Sequence, residues 1–296
     1  MPQLQTVTTH LPPKKILYAT DFLENSRLAL DYAVAFAHHY HARLLIVHIF
    51  CLPQPAIEVE ALDPPSLSRL SREKRLEAFA AAVRRAGVEA DWKLVEGWMP
   101  DALLTQVQEI QPDLLFLGTH GVYHGLGHML IGSNAEATLL SAECPTITVG
   151  RCVPGGIAPE SSPEHILYIT DFTPESSAAA PYAVALSRDF GARLDICHLL
   201  PNGSGHNKEA NRRLAEQYCD AVRQYVPGSE SSWCVPGDQL EHGVTKEEIL
   251  QRTRQDAAGM IVLGVHSESQ FARRMHATFA YELVATAASP VFTIRG

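Results

Sequence analysis

Residues 16–50, ILYATDFLENSRLALDYAVAFAHHYHARLLIVHIF, align with residues 166–200, ILYITDFTPESSAAAPYAVALSRDFGARLDICHLL, at an offset of 150 without a gap. Roughly half the positions are identical, among them Tyr18 and Tyr168, Asp21 and Asp171, and His48 and His198. The halves also end alike, in CPTITVG and SPVFTIRG. A chain that repeats at this length is expected to hold two copies of one domain. Its 296 residues fit that count, since single domains run to about 100–150 residues. The joint, GRCVPGGIAPESSPE, is rich in Pro, Gly and Ser and reads as a linker. The expected units are 14–150 and 164–296, joined by 151–163, after a disordered lead of about 13 residues.

Each copy alternates two kinds of segment. KILYAT is a short apolar run with strand character, and ARLLIVHIF is apolar throughout, as a parallel strand covered on both faces must be. Between them, Leu28, Ala29, Tyr32, Ala33, Phe36 and Ala37 recur at helical spacing, with Asn25 or Ser26 as the expected N-cap. SLSRLSREKRLEAFAAAVRRAG reads as a helix ending on Gly87, and DWKLVEG as a strand. PDALLTQVQEIQ reads as a helix from Pro100, PDLLFLGT as a strand, SNAEATLLSAE as a helix and PTITVG as the last strand. The second copy repeats the order, with helices expected at about 175–190, 207–225, 245–256 and 277–288 and a third strand at SSWCVP. Strict alternation specifies two tandem five-stranded parallel-sheet α/β domains, helices on both faces and ligands at the carboxyl ends of the strands. The strands PTITV and PVFTI are expected to pair, making the chain a pseudo-dimer.

Composition excludes several classes. A net charge of −9 argues against a nucleic-acid or anionic-membrane surface, which needs clustered cations. The six cysteines show no CxxC spacing and read as free thiols in a reducing cytoplasm. The longest apolar run, LLIVHIFCL, is about half a membrane span.

The segment GTHGVYHGLGHMLIGSNAE, residues 118–136, is the candidate site. Gly118 ends a strand, Gly121 lets the backbone turn without a Cβ, and Gly132-Ser133, followed by Asn134, opens a helix. Exposed N–H groups and the helix dipole favour phosphate there. The plainer alternative is that the glycines only turn the chain and Ser133 only caps the helix.

ILYATDF, ARLLIVHIF, DLLFLGTHG and GSNAEATLLSAECPTITV in the first half, and ILYITDF, ARLDICHLL, GMIVLGVHS and SPVFTIR in the second, resemble the universal stress proteins in their tandem form. The resemblance implies five-stranded Rossmann-like domains that pair through the last strand, and, in many members, an adenine nucleotide such as ATP. The nucleotide-binding branch carries glycine, two residues, glycine, nine residues, then glycine followed by Ser or Thr. Gly118, Gly121 and Gly132-Ser133 match it, except that ten residues separate Gly121 from Gly132. By the same resemblance Asp21 contacts the nucleoside, and the main chain of Ile49 meets the adenine edge. Asp21 as a turn residue is the rival reading, and His48 and His198 read as structural histidines. The second copy keeps Gly264 but has Ser267 and Ala277 where glycines belong, so one nucleotide is expected, in the first half.

His120, His124 and His128 stand four apart, but Gly121, Gly125 and Gly127 make one helix through them costly. A metal-binding stress protein is therefore a minor alternative, with His120 and His124 placed along the phosphate loop instead. There is no GxxxxGK[ST] loop and no GxSxG elbow, so no catalytic residue is assigned. Asp21 could help hold Mg²⁺, which leaves slow ATP hydrolysis open. The sequence reading is a cytoplasmic, ATP-responsive stress module acting through shape or an unknown protein partner. A slow ATPase and a nucleotide-free interaction protein are its rivals, and pairing of whole chains into a homodimer stays open.

Overall fold

The computed structural model describes residues 9–51, 69–119, 121–124, 128–131, 133–155, 162–199, 213, 216–217, 222, 241–255, 259–265 and 279–295. The first half holds β1 (Lys15–Ala19), α1 (Glu24–Tyr40), β2 (Arg43–Phe50), α2 (Arg69–Arg85), β3 (Ala90–Glu96), α3 (Asp101–Ile110) and β4 (Leu114–Gly118). A hairpin of β5 (Gly121–His124) and β6 (His128–Ile131), then α4 (Ser133–Ser141) and β7 (Thr146–Val149), complete it. The second half holds β8 (His165–Thr170), α5 (Pro174–Ser177), α6 (Ala180–Phe190), β9 (Arg193–Leu199), β10 (Glu241–Val244), α7 (Lys246–Gln255), β11 (Met260–Val265) and β12 (Val291–Arg295). Residues 279–286 are helical.

Ten strands form one sheet in the order β10-β9-β8-β11-β12-β7-β4-β1-β2-β3. Pairing is parallel within each half. The halves join where β7 and β12 run antiparallel, with Val291 opposite Thr148, Phe292 opposite Ile147 and Thr293 opposite Thr146. Each copy thus hides the other's last strand edge, as the repeat leads one to expect. Ile147 and Phe292 are fully buried at this junction. A second seam forms where Tyr40 donates to Asp189 Oδ2 at 3.1 Å and the Phe36 and Phe190 rings meet at 5.1 Å.

Strand alternation divides the first core between two faces. Tyr18, Leu44, Ile46 and Phe116 pack with Leu76 and Val83 of α2 and with α1. Leu17, Val47, Leu115 and Leu117 pack with Leu103 and Val107 of α3. Helices α1 and α2 therefore cover one face and α3 the other. Gly87, at φ +83°, follows α2 as the expected helix stop, and Pro100 stands immediately before α3.

Three local expectations are corrected. First, residues 9–13 of the expected lead are ordered: Leu11 is buried, and the adjoining Lys14 and Lys15 N–H groups donate to Asp113 Oδ2 at 2.8 and 2.9 Å. Second, α1 is preceded by Leu23 with no side-chain cap, because Ser26 and Asn25 are engaged elsewhere. Ser26 Oγ donates to the Leu23 carbonyl at 2.8 Å, and Asn25 Nδ2 to the Thr119 carbonyl at 2.8 Å. Third, the single helix expected at 175–190 is broken into α5 and α6. Pro181 supplies no N–H for a helical bond to Ser177, whereas its counterpart Asp31 lets α1 continue. In the second half, Glu241–Val244 pairs with β9. SSWCVP, most of the expected 207–225 helix, and linker residues 156–161 lie outside the described residues.

Candidate functional site

Strand order fixes where a ligand can enter. The first half runs from β1 outward to β2 and β3, then returns to β4 and β7 on the other side of β1. The chain reverses direction between β1 and β4, and the crevice of such a sheet opens there, at the carboxyl ends.

On the β1 side, Thr20 and Asp21 leave the strand. The Thr20 N–H reaches the Val47 carbonyl at 2.9 Å, and Thr20 Oγ1 and Ser26 Oγ lie 3.1 Å apart. Asp21 is exposed, and its Oδ1 accepts the Leu23 N–H at 2.8 Å. The turn role is thus present, in a side chain that stands at the crevice mouth. Phe22 then takes the left-handed region, φ 65°, and Phe172 repeats this at φ 64°. Such a backbone costs roughly 1 kcal/mol outside glycine. It is offset by burying Phe22 against His48, with ring centroids 4.3 Å apart. His48 is itself buried, with Nδ1 2.7 Å from the Thr20 carbonyl, and His198 stacks on Phe172 at 3.9 Å. The Tyr18 hydroxyl donates to the Ser26 carbonyl; burial pushes its pKa well above the usual tyrosine range.

Ile49 lies one residue before the end of β2, opposite Val95 of β3. The Val47 carbonyl points toward β1, where it meets Thr20, and the Phe50 carbonyl points toward β3, where it meets Gly97 N–H at 2.9 Å. Backbone groups alternate along a strand, so Ile49 shares the direction of Val47. Pairing with β1 ends at Ala19 opposite Val47. The main chain of Ile49 is therefore directed past the end of β1, toward the crevice.

On the β4 side, Gly118 is the last strand residue, opposite Val149. A Cβ there would lie 2.5 Å from the Asn25 carbonyl oxygen and 2.6 Å from Ser26 Cα. Gly118 is therefore required for α1 to approach β4, independently of any phosphate. Thr119 follows, 2% exposed, its N–H on the Val149 carbonyl at 3.1 Å and its own carbonyl on Asn25 Nδ2. This bond stitches the two lips of the crevice together. Neither Asn25 nor Thr119 was singled out from sequence as a site residue; the bond joins positions 94 apart in the chain.

His120 and Gly132 lie outside the described residues. Gly121 and Ser133 are placed by their backbones alone: Gly121 opens β5 and stands opposite Ile131, the residue before Gly132. The hairpin thus folds the long segment back on itself and returns the chain beside Gly121. Ser133 begins α4, and Asn134 is exposed in its first turn, its carbonyl accepting from Thr138 Oγ1 at 2.7 Å. Glu136, in the same turn, is an acidic neighbour that any bound anion must tolerate. His124 and His128 face each other across the hairpin backbone rather than along one helix. No group of three or more metal-ligating side chains occurs among the described residues.

In the second half Asp171 Oδ1 accepts from Thr173 N–H at 3.1 Å and Thr173 Oγ1 at 2.7 Å. Ser267 and Ala277 lie outside the described residues.

A doubly wound sheet with its crevice at the β1/β4 reversal defines a Rossmann-like α/β protein. The universal stress protein family model matches residues 12–150 and again 163–295, and the chain belongs to that family, as a tandem of two such domains. A universal stress protein of Thermus aquaticus is 31% identical over 137 residues, 46% of this chain and 98% of that one. Another, of Methanocaldococcus jannaschii, is 28% identical over 47% of this chain and 82% of its own. Among solved structures, a universal stress protein from Pseudomonas aeruginosa superposes at TM-score 0.66 and 18% identity, covering 96% of this chain and 94% of that one. One from Archaeoglobus fulgidus gives 0.65 and 19%, covering 95% and 98%. At these identities the structures establish the fold. Among the described residues no helix is long and apolar enough to cross a membrane.

Proposed function

We propose that the protein is an ATP-responsive stress module whose first domain, 14–150, binds the nucleotide and whose second, 164–296, is its built-in partner across the 151–163 linker. The observation that carries this reading is the convergence at the β1/β4 reversal. Asp21 stands exposed on one lip, the Ile49 main chain is directed past β1, and the hairpin returns the chain beside Gly121 just before α4 begins. Adenine would meet Ile49 and the ribose Asp21. The phosphates would lie on Gly118–Gly121, with His120, and on Gly132, Ser133 and Asn134 at the α4 N-terminus. Asp21, at the end of β1, is the carboxylate that would help hold a Mg²⁺ there. Occupancy, rather than turnover, is the signal, read in the cytoplasm by a protein partner.

Calorimetric titration tests this. Wild type should take one ATP per chain, and Gly132→Val should abolish binding while keeping the far-UV circular dichroism of wild type. Two equivalents, or undiminished binding by the variant, would overturn the site assignment. Single-turnover assays with Mg²⁺ separate a binder from a slow ATPase.

A further inference from the structure

We infer that the second half holds α4 of the first in place, with Tyr281 as a positioning residue, so that the nucleotide site is complete only with both halves. The inference deepens the nucleotide reading above and rests on it.

The packing of α4 carries it. Leu139 is buried in an apolar cluster whose other buried members, Leu263, Tyr281 and Leu283 among them, all come from the second half. Ala135 and Leu140 pack against the same cluster. Neither of the other two apolar clusters takes a described residue from α4. The chain rejoins the first half's α3-face core only past the helix, at Ala142 and Cys144. A helix of 9 residues has little stability of its own, so its packing decides where its N-terminus lies. For α4 that packing belongs to the other half.

The surface that α4 meets is the 279–286 helix. The Tyr281 hydroxyl donates to the Glu136 carbonyl, in the first turn of α4, at 3.4 Å. At the other end of α4, Arg295 Nη1 donates to the Ser141 carbonyl at 3.4 Å. Gly150 has no room for a Cβ against the Val284 carbonyl, so the first half's last strand also ends on that helix. Glu136 and Tyr281 each stand nine residues before a proline, Pro145 and Pro290, and so hold the same place in the two halves. The β7/β12 pairing, with Ile147 opposite Phe292, sets those places against each other. A carboxylate accepts hydrogen bonds and does not donate them, so Glu136 cannot return the bond. Support therefore runs from the half that has lost the second and third glycines to the half that keeps them. By linkage, whatever seats α4 strengthens binding at its N-terminus, and a bound nucleotide steadies the 279–286 helix in return.

Two measurements on the full chain decide it. In wild type, saturating ATP should slow amide hydrogen exchange in 279–286 at least about fivefold more than in α6. Helix α6 packs on the opposite face of the sheet and reports stabilisation of the chain as a whole. By calorimetry, Tyr281→Ala should bind ATP roughly 5- to 50-fold more weakly. Tyr281→Phe, which keeps the ring, should stay within about threefold of wild type. Ile196→Ala removes a buried side chain from the α6 face of the same half. It should lower Tm as Tyr281→Ala does, yet leave the dissociation constant within about twofold. Unchanged affinity in Tyr281→Ala, or exchange in 279–286 slowed no more than in α6, overturns the inference while the nucleotide site stands. If wild type takes up no adenine nucleotide, both fall together.

Discussion

Gly118 can be required for phosphate or for packing, and a single methyl group tells these apart. Gly118→Ala adds a Cβ that would lie 2.5 Å from the Asn25 carbonyl oxygen, 2.6 Å from Ser26 Cα and 2.7 Å from the Asn25 carbonyl carbon. All three are backbone atoms of the first turn of α1, so no side-chain rotation relieves the contact. Either α1 moves outward by several tenths of an ångström or the end of β4 does. Overpacking of this kind costs about 1–3 kcal/mol. Displacing α1 also lengthens the 2.8 Å Asn25–Thr119 bond, worth about another 1 kcal/mol. The sum, about 2–4 kcal/mol, corresponds to a fall in Tm of roughly 4–16 °C for a chain of this size. Differential scanning calorimetry without nucleotide provides the measurement, with Gly87→Ala as control. Gly87 has open space for a Cβ and only an unfavourable φ of +83°, so its loss should be nearer 1 kcal/mol. A Gly118→Ala protein that melts with wild type, yet fails to bind ATP, would refute the packing argument and return Gly118 to a purely phosphate-binding role.

Other outcomes follow from the same geometry. Phe292→Ala should cost about 3–5 kcal/mol in urea unfolding, because Phe292 is fully buried opposite Ile147 at the seam between halves; a cost under about 1 kcal/mol would place the seam elsewhere. Asp195 is 6% exposed and lies 2.7 Å from His165 Nε2 and 3.0 Å from Arg193 Nε. Burial alone would raise its pKa, but His165 and Arg193 together hold it below the usual carboxylate value of 3.8. A depressed folded pKa contributes stability above the unfolded value and loses it as pH falls through the folded one. Asp195→Asn should therefore destabilise at pH 7 by about 1–3 kcal/mol, with the gap to wild type closing below pH ~4; a pH-independent gap contradicts the ion-pair account. Cys152 is exposed while Cys144 and Cys197 are buried, and burial pushes the Cys144 thiol up to about 12. Mass spectrometry after brief alkylation of the native protein should find Cys152 modified before either, and early modification of Cys144 would contradict its burial.

The architecture was legible in the residues, because the information needed was local and repeated. Continuous apolar runs made parallel strands, 3.6-residue periodicity made the helices between them, and the 150-residue offset made two copies of the result. Even the β7/β12 seam follows from two matching last strands, each with an edge to hide. Local chemistry failed where a side chain had two partners to choose from. Asn25 and Ser26 look like helix caps in the sequence, yet the fold brings the Thr119 carbonyl and the end of β1 to them instead. Gly118 looks like part of a phosphate loop, yet its missing Cβ also makes room for Asn25 and Ser26. The Asn25–Thr119 bond joins residues 94 apart in the chain at 2.8 Å, and the room at Gly118 is set by Asn25 and Ser26 of α1, equally remote in sequence. Periodicity and composition carry no record of such distances, and only the folded chain could decide them.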